Sequence, residues 1–283
     1  MKTKSIRGGF TLIELMAAMT ILAIIVLIVG MIFSDADRIW YLGTGRTMNC
    51  MSGRAAMNLI THDLEYAVAD DMLTFAVRPD RTNSPYYANS SLKNAEMCFV
   101  SLQHDSAGGY RTAREVFYFV TTNSTPTMPA RPGNLMRGYY SSAITDDPGY
   151  ANHCYYNRSW YEEPPRGVGR NNSFPRPIVE NVVGFSVYAP TNQNGGVSYE
   201  YYSTNAYAYA TNTVLFNSLP EYVDVCLEVL DELDATKLYE MEKPAAAGGL
   251  GISAAVRAAF VERNARRYTT RVYFQNRLGY KKR

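Results

Sequence analysis

Gly9-Phe10-Thr11-Leu12-Ile13-Glu14-Leu15 runs straight into Met16-Ala-Ala-Met-Thr-Ile-Leu-Ala-Ile-Ile-Val-Leu-Ile-Val-Gly-Met-Ile-Phe33. From Leu15 to Phe33 only Thr20 is polar. As a helix rising ~1.5 Å per residue, this run spans about 28 Å, close to the ~30 Å hydrocarbon core of a bilayer. Lys2, Lys4 and Arg7 precede it, and cationic flanks stay on the cytoplasmic side, so the bulk of the chain faces out. Two ordinary readings compete. One is a secretory signal peptide, whose apolar core of roughly 7–15 residues is shorter than this run, although Ser34-Asp35-Ala36 offers a small-residue cleavage site. The other is a plain membrane anchor. Neither accounts for Glu14, because a carboxylate at membrane depth costs roughly 2.5–3.5 kcal/mol on insertion scales and normally has a partner.

The stretch Gly9 to Leu15, behind a basic leader and ahead of a long apolar helix, resembles the processing and methylation motif of type IV pilins and type II secretion pseudopilins. The resemblance implies a cut between Gly9 and Phe10, made on the cytoplasmic side by a prepilin peptidase that also methylates the new amino terminus at Phe10. Glu14 is then the fifth residue of the mature chain, and in the family that acid pairs with the terminal amine of a neighbouring subunit. Such a cut keeps the apolar helix, which a secretory cut would discard. It also creates an ammonium in an apolar setting, where an unpaired charge is costly.

Outward from this segment, Asp35, Asp37 and Arg38 mark the exit from the membrane, and Trp40 and Tyr41 suit its interface. Gly43-Thr44-Gly45 is a place for the helix to bend or break. Apolar positions then recur at helical steps through Met48, Met51, Ala55, Leu59 or Ile60, Leu64 and Ala67. Residues 46–69 read as an amphipathic helix with one face on a sheet. Strands are expected at 72–77, 97–102, 115–120, 182–188, 222–230 and 268–275, with the clearest alternation at Val223, Val225, Leu227 and Val229. Ser253 suits the N-cap of a short helix reaching Arg266, with Ile252, Val256, Ala259 and Phe260 on its apolar side. Residues 123–176 and 190–213, rich in Pro, Tyr, Asn and Gly, read as loops. Short stretches also resemble minor pseudopilin J and minor pilin W: Arg54 with Asp63-Leu64 and Ala67; Val182, Phe185 and Tyr188; Leu219-Pro220 with Val223, Val225 and Leu227; and Arg267 through Val272.

The composition removes other classes. The chain has 283 residues, 47% apolar and 19% charged, with 28 Lys+Arg against 26 Asp+Glu. The three leader cations carry the surplus, since 28 − 3 leaves 25 against 26. No basic field exists to hold nucleic acid by its phosphates. Histidines are few, His62, His104 and His153, and His104-Asp105-Ser106 reads as a turn, since sequence neighbours seldom converge on one point. His153-Cys154 lacks a second ligand pair for zinc, Asp146-Asp147 lacks the further acids of a calcium loop, and neither Gly43-Thr44-Gly45 nor Gly248-Gly249-Leu250-Gly251 is a dinucleotide fingerprint. Cys50, Cys98, Cys154 and Cys226 would face an oxidising compartment, where one or two disulfides among them are expected and three full pairings are open.

The expectation is therefore an α+β, pilin-like protein in which a long N-terminal transmembrane and amphipathic helix packs on an antiparallel sheet. Its parts are a leader at 1–9 that is removed, a membrane or filament-core helix at 10–42, an amphipathic second half at 43–71, and a β-rich periplasmic or extracellular domain at 72–283. It would act as a non-enzymatic minor pilin or pseudopilin without cofactor or metal, inserted once in a bacterial inner membrane. The resemblance implies the prepilin peptidase and methyltransferase, other pilins or pseudopilins and an inner-membrane assembly platform as partners. The alternative is a pilin-anchored binding module whose Tyr- and Asn-rich loops recognise a surface, a glycan or a secreted substrate.

Overall fold

The computed structural model describes residues 11–70, 73–78, 95–104, 111–121, 132–141, 175–190, 197–198, 201–203, 219–243 and 249–274. It is α+β: a long N-terminal helix followed by an antiparallel sheet. Helix α1 runs without a break over Leu12–Glu65. It passes straight through Gly43-Thr44-Gly45, where a bend or interruption was expected. The Thr44 and Thr47 hydroxyls each donate to the carbonyl four residues back, Trp40 and Gly43, at 2.8 Å, so the hydroxyls there are satisfied by the helix itself. The helix stops at Glu65, four residues short of the expected end. Ala67–Val68 already forms a strand, β1.

The remaining strands are β2 (Ala76–Arg78), β3 (Glu96–His104), β4 (Arg111–Thr121), β5 (Gly133–Ser141), β6 (Arg176–Pro190), β7 (Val197–Ser198), β8 (Tyr201–Tyr202), β9 (Tyr222–Val229) and β10 (Arg266–Tyr273). The sheet order is β10-β9-β6-β5-β4-β3-β2-β8, with β1 on β3 and β7 on β6, and every pairing is antiparallel. The sheet curls strongly. The N–H of Ala95, just ahead of β3, donates to the carbonyl of Phe185 in β6, three strands away, at 2.7 Å. Five of the six expected strands coincide with β3, β4, β6, β9 and β10, whereas 72–77 yields only the three residues of β2. β5 lies inside 123–176, which read as loop. Two-residue strands β7 and β8 lie inside 190–213.

The chain divides into two compact units, residues 1–48 and 49–283. In the second, the Gly53, Ala56, Met57, Ile60, Asp63 and Leu64 face of α1 is buried against the hollow of the sheet, with Phe75, Phe99, Tyr118, Phe185, Val225 and Leu227. This face is rotated from the expected one: Ala55 is exposed, and so are Met48 and Met51 in their respective units. Gly53 sets the rotation. A Cβ there would lie 2.5 Å from the Tyr268 ring of β10, so the helix approaches by its backbone. Asn49 Nδ2 donates to the Leu230 carbonyl (2.7 Å), fixing the same end.

One buried polar cluster joins helix to sheet. Asp63 is fully buried. Its Oδ2 accepts from the Tyr118 hydroxyl of β4 (2.5 Å) and from Arg137 Nε of β5 (2.7 Å), and its Oδ1 accepts from Arg137 Nη2 (3.0 Å). Burial and the adjacent carboxylate hold the Tyr118 phenol well above its ordinary pKa, so it stays a donor. Two smaller clusters complete the domain. Leu73, Ala76, Cys98, Val100, Ala113 and Phe117 pack on the other face of β2, β3 and β4. Helices α2 (Glu232–Glu242) and α3 (Ala254–Asn264) cover Val183 and Leu230. Ser253 caps α3, its Oγ accepting from Val256 N at 3.4 Å. Val261 is the buried residue of α3, with Phe260 and, just ahead of the helix, Ile252 packed on the same cluster, whereas Val256 and Ala259 are exposed.

Removing one partner of a buried ion pair strands the other, at a cost of roughly 3–5 kcal/mol. Asp63→Ala in the full chain is expected to lose about that much stability in denaturant unfolding, with Asp63→Asn between it and the parent. Gly53→Leu, which forces a side chain into the Tyr268 ring, is expected to cost about 1–3 kcal/mol in the same measurement.

Candidate functional site: the amino end of the long helix

Helix α1 begins with a reciprocal cap. The Thr11 backbone N–H donates to Glu14 Oε2 at 2.9 Å, the Thr11 hydroxyl donates to the same oxygen at 2.8 Å, and Glu14 N–H points back to Thr11 Oγ1 at 3.3 Å. This is a capping box, in which residues three apart satisfy each other's donors. The site residue Glu14 is thus placed, and the placement gives it a local reason to be acidic, since a carboxylate in the first turn also opposes the positive end of the helix dipole. Both contacts fall on Oε2, and among the described residues Oε1 accepts no hydrogen bond. The carboxylate is oriented by its own helix and retains one oxygen for a further donor. Sequence reasoning missed Thr11, although the Thr-x-x-Glu spacing of Thr11-Leu12-Ile13-Glu14 is the signature of such a box. Gly9 and Phe10 lie outside the described residues.

Beyond the cap, the large apolar side chains from Leu15 to Phe33 are exposed within the unit of residues 1–48; even Val29, among the least open, is 42% exposed. They cover every side of the helix, and a helix apolar all round belongs in lipid or inside a bundle. The lone polar side chain between Leu15 and Phe33, Thr20, donates to the Ala17 carbonyl at 2.8 Å, so that stretch carries no unsatisfied hydroxyl into an apolar medium. By length and composition this is the one helix among the described residues able to cross a membrane. Trp40, 78% exposed, follows at the position an interfacial aromatic would take.

The cysteines occupy three unlike environments. Cys50, on α1, receives a contact from Arg266 Nη1 at 3.1 Å. A hydrogen bond from Tyr268, then the charges of Arg266 and Arg54, draw its thiol below the ordinary range. Cys98 is buried beside Arg78 and Glu96. Cys226 lies half-buried on β9, where burial and then Glu228 push its thiol up. These three form no disulfide with one another, and Cys154 lies outside the described residues. His153 and Asp146-Asp147 lie outside them too.

A family model described as the prokaryotic N-terminal methylation motif matches residues 4–30. No curated protein and no solved structure matches the chain. The matched segment contains Lys4, Arg7, the Gly9–Phe10 step, the Thr11–Glu14 cap and most of the apolar run to Phe33. It supports the pilin and pseudopilin superfamily, whose motif marks structural subunits rather than enzymes.

Proposed function

We propose that the protein is a minor pilin or pseudopilin, cut after Gly9, methylated on Phe10, and drawn from the inner membrane into a type IV pilus-like or type II secretion filament. One observation carries the reading: a methylation motif over residues 4–30 runs into a helix whose apolar side chains from Leu15 to Phe33 point to every side and are exposed. Lipid covers that surface before assembly, and the same segment of other subunits covers it afterwards. The peptidase that trims and methylates the chain, the other pilins and the assembly platform in the membrane are the partners this role requires. The domain after the helix lies on the periplasmic side.

Glu14 supplies the register. An ammonium at Phe10 of one subunit, entering an apolar bundle, needs a counter-charge. Glu14 of a neighbour has an oxygen to give. The finer assignment, a subunit like minor pseudopilin J or minor pilin W, draws support from where the resembling residues fall. Asp63 anchors α1, Val182, Phe185 and Tyr188 lie on β6, Val223, Val225 and Leu227 on β9, and Arg267 through Val272 on β10. Ala67, expected on the helix, belongs to β1.

Two substitutions separate pairing from capping. Glu14→Gln keeps an acceptor for the Thr11 N–H but carries no charge; Thr11→Val loses the cap, worth about 1 kcal/mol, and keeps the charge. Glu14→Gln is expected to lower filament incorporation at least tenfold while leaving processing and membrane insertion intact, and Thr11→Val to lower it far less. Normal incorporation of Glu14→Gln would overturn the pairing role. The mass of the mature amino-terminal peptide checks the cut: it should begin with N-methylated Phe10, and a bulky residue at Gly9 should leave the leader attached.

A further inference from the structure

The outer face of β6, β9 and β10, turned away from α1, carries a trough that filament assembly through the amino-terminal helix does not use. The register lays its residues out in rows across the strands. Glu228 stands opposite Arg267, then Cys226 between Ser186 and Thr269, then Asp224 between Tyr188 and Arg271, and beyond the hollow Tyr222 opposite Tyr273. The second row is made of small side chains and forms a floor. The first and third rows form walls. The hollow between them has a volume of about 530 Å³, within the usual range for a small-ligand site.

The chemistry of the walls selects the kind of ligand. Arg267 Nε donates to Glu228 Oε1 at 2.7 Å. Arg271 grips Asp224 with both nitrogens, Nε to Oδ1 at 2.6 Å and Nη2 to Oδ2 at 2.7 Å. Each acid is matched by one cation, so the trough has no net charge to attract an ion. It still presents fixed donors and acceptors side by side, because a guanidinium has five N–H groups and a carboxylate about four lone-pair sites, more than these contacts use. A ligand matching that array must offer many neutral groups that both donate and accept. The hydroxyls of Ser186 and Thr269 extend the same pattern along the floor.

The fourth row adds an apolar platform. The Arg271 guanidinium lies 4.0 Å above the Tyr222 ring, which locks the wall in place. Tyr273 is tilted against Tyr222 with centroids 5.9 Å apart and is 60% exposed, leaving ring surface open beside the polar walls. A ring with C–H groups on one face and hydroxyls around its rim fits both features together. An extended apolar peptide would bury the ion pairs without replacing their hydrogen bonds, and a nucleotide or other polyanion finds no surplus cation.

We propose that this trough binds a neutral oligosaccharide of about two pyranose units, one stacked on Tyr273 and the next hydrogen-bonded between the Asp224–Arg271 and Glu228–Arg267 walls, a size that fits the volume of a small-ligand site. This goes beyond the filament role and does not depend on it.

The test uses the full chain in a zwitterionic detergent without a sugar headgroup, with maltose, cellobiose, lactose and N,N′-diacetylchitobiose as probes. Saturation-transfer NMR should show magnetisation passing to the pyranose C–H protons of at least one, with millimolar affinity. Thr269→Trp, which fills the floor, should weaken binding at least tenfold, and Tyr273→Ala at least fivefold, each with an unchanged unfolding midpoint. Silence from all four sugars overturns the proposal. Transfer that survives both substitutions overturns it too. Filament incorporation of Thr269→Trp is measured alongside: if it is lost, the face is a contact between subunits and the saccharide site falls, whereas the filament reading stands.

Discussion

Within the unit of residues 49–283, the domain holds its stretch of α1 by one buried face. The Asp63 carboxylate is the polar means of doing so. It is fully buried on the helix and is met by a phenol from β4 and a guanidinium from β5. Apolar burial of Ile60, Leu64 and Met57 supplies most of the attraction, at ~25 cal/mol per Å² removed from water, but oily contacts alone permit rotation and sliding. A bidentate Arg–carboxylate pair does not, because its geometry is satisfied at one position. Gly53 acts in the same sense at the other end, admitting the Tyr268 ring where any side chain would force the helix away.

With the hollow side occupied by α1, the chain uses the outer side for whatever else it builds. On β6 the pairing with β9 shifts register between Val182 and Gly184, next to Asn181 at φ 58°, a left-handed conformation that Asn tolerates better than most residues. The bulge turns Val182 to the main core and Val183 to the cluster beneath α2 and α3. It also leaves Gly184 under the Glu228 carboxylate, where a Cβ would meet Oε2 at 2.8 Å. One irregularity thus seats the helical insertion and opens the end of the outer trough.

Much of this was legible in the sequence where the signal is local. The stretch matched by the methylation motif and the apolar run that forms the first part of α1 lie close together, and β9 announces itself by strict alternation. β5 was hidden because Gly133-Asn134-Leu135-Met136-Arg137-Gly138-Tyr139-Tyr140-Ser141 has no β-branched residue and two glycines; its neighbours β4 and β6 make it a strand. Helix α2 was hidden by Glu232, Asp234, Lys237, Glu240 and Glu242, which leave only Ala235 and Leu238 buried. The grip on Asp63 could not be read at all, since Arg137 stands 74 positions away and a lone acid in an amphipathic helix looks solvated. The rotated face of α1 has the same origin: Met51 fits a helical period, yet which face is buried depends on where the sheet meets the helix.

The cap at Thr11 and the proposed pairing at Glu14 are complementary uses of one group. An acid destined to meet an ammonium in a low-dielectric bundle gains from a strong local field, but loses if its side chain must first be ordered, a cost of up to ~2 kcal/mol for a long side chain. The two hydrogen bonds from Thr11 to Oε2 impose that order in the lone subunit, before any neighbour arrives. They also satisfy part of the carboxylate's need for donors, and an unsatisfied charge is most costly in an apolar medium. In the proposed pairing Oε1 would meet the incoming amine with less entropy left to lose, so the threonine three residues before the acid would serve the single subunit and the assembled filament alike.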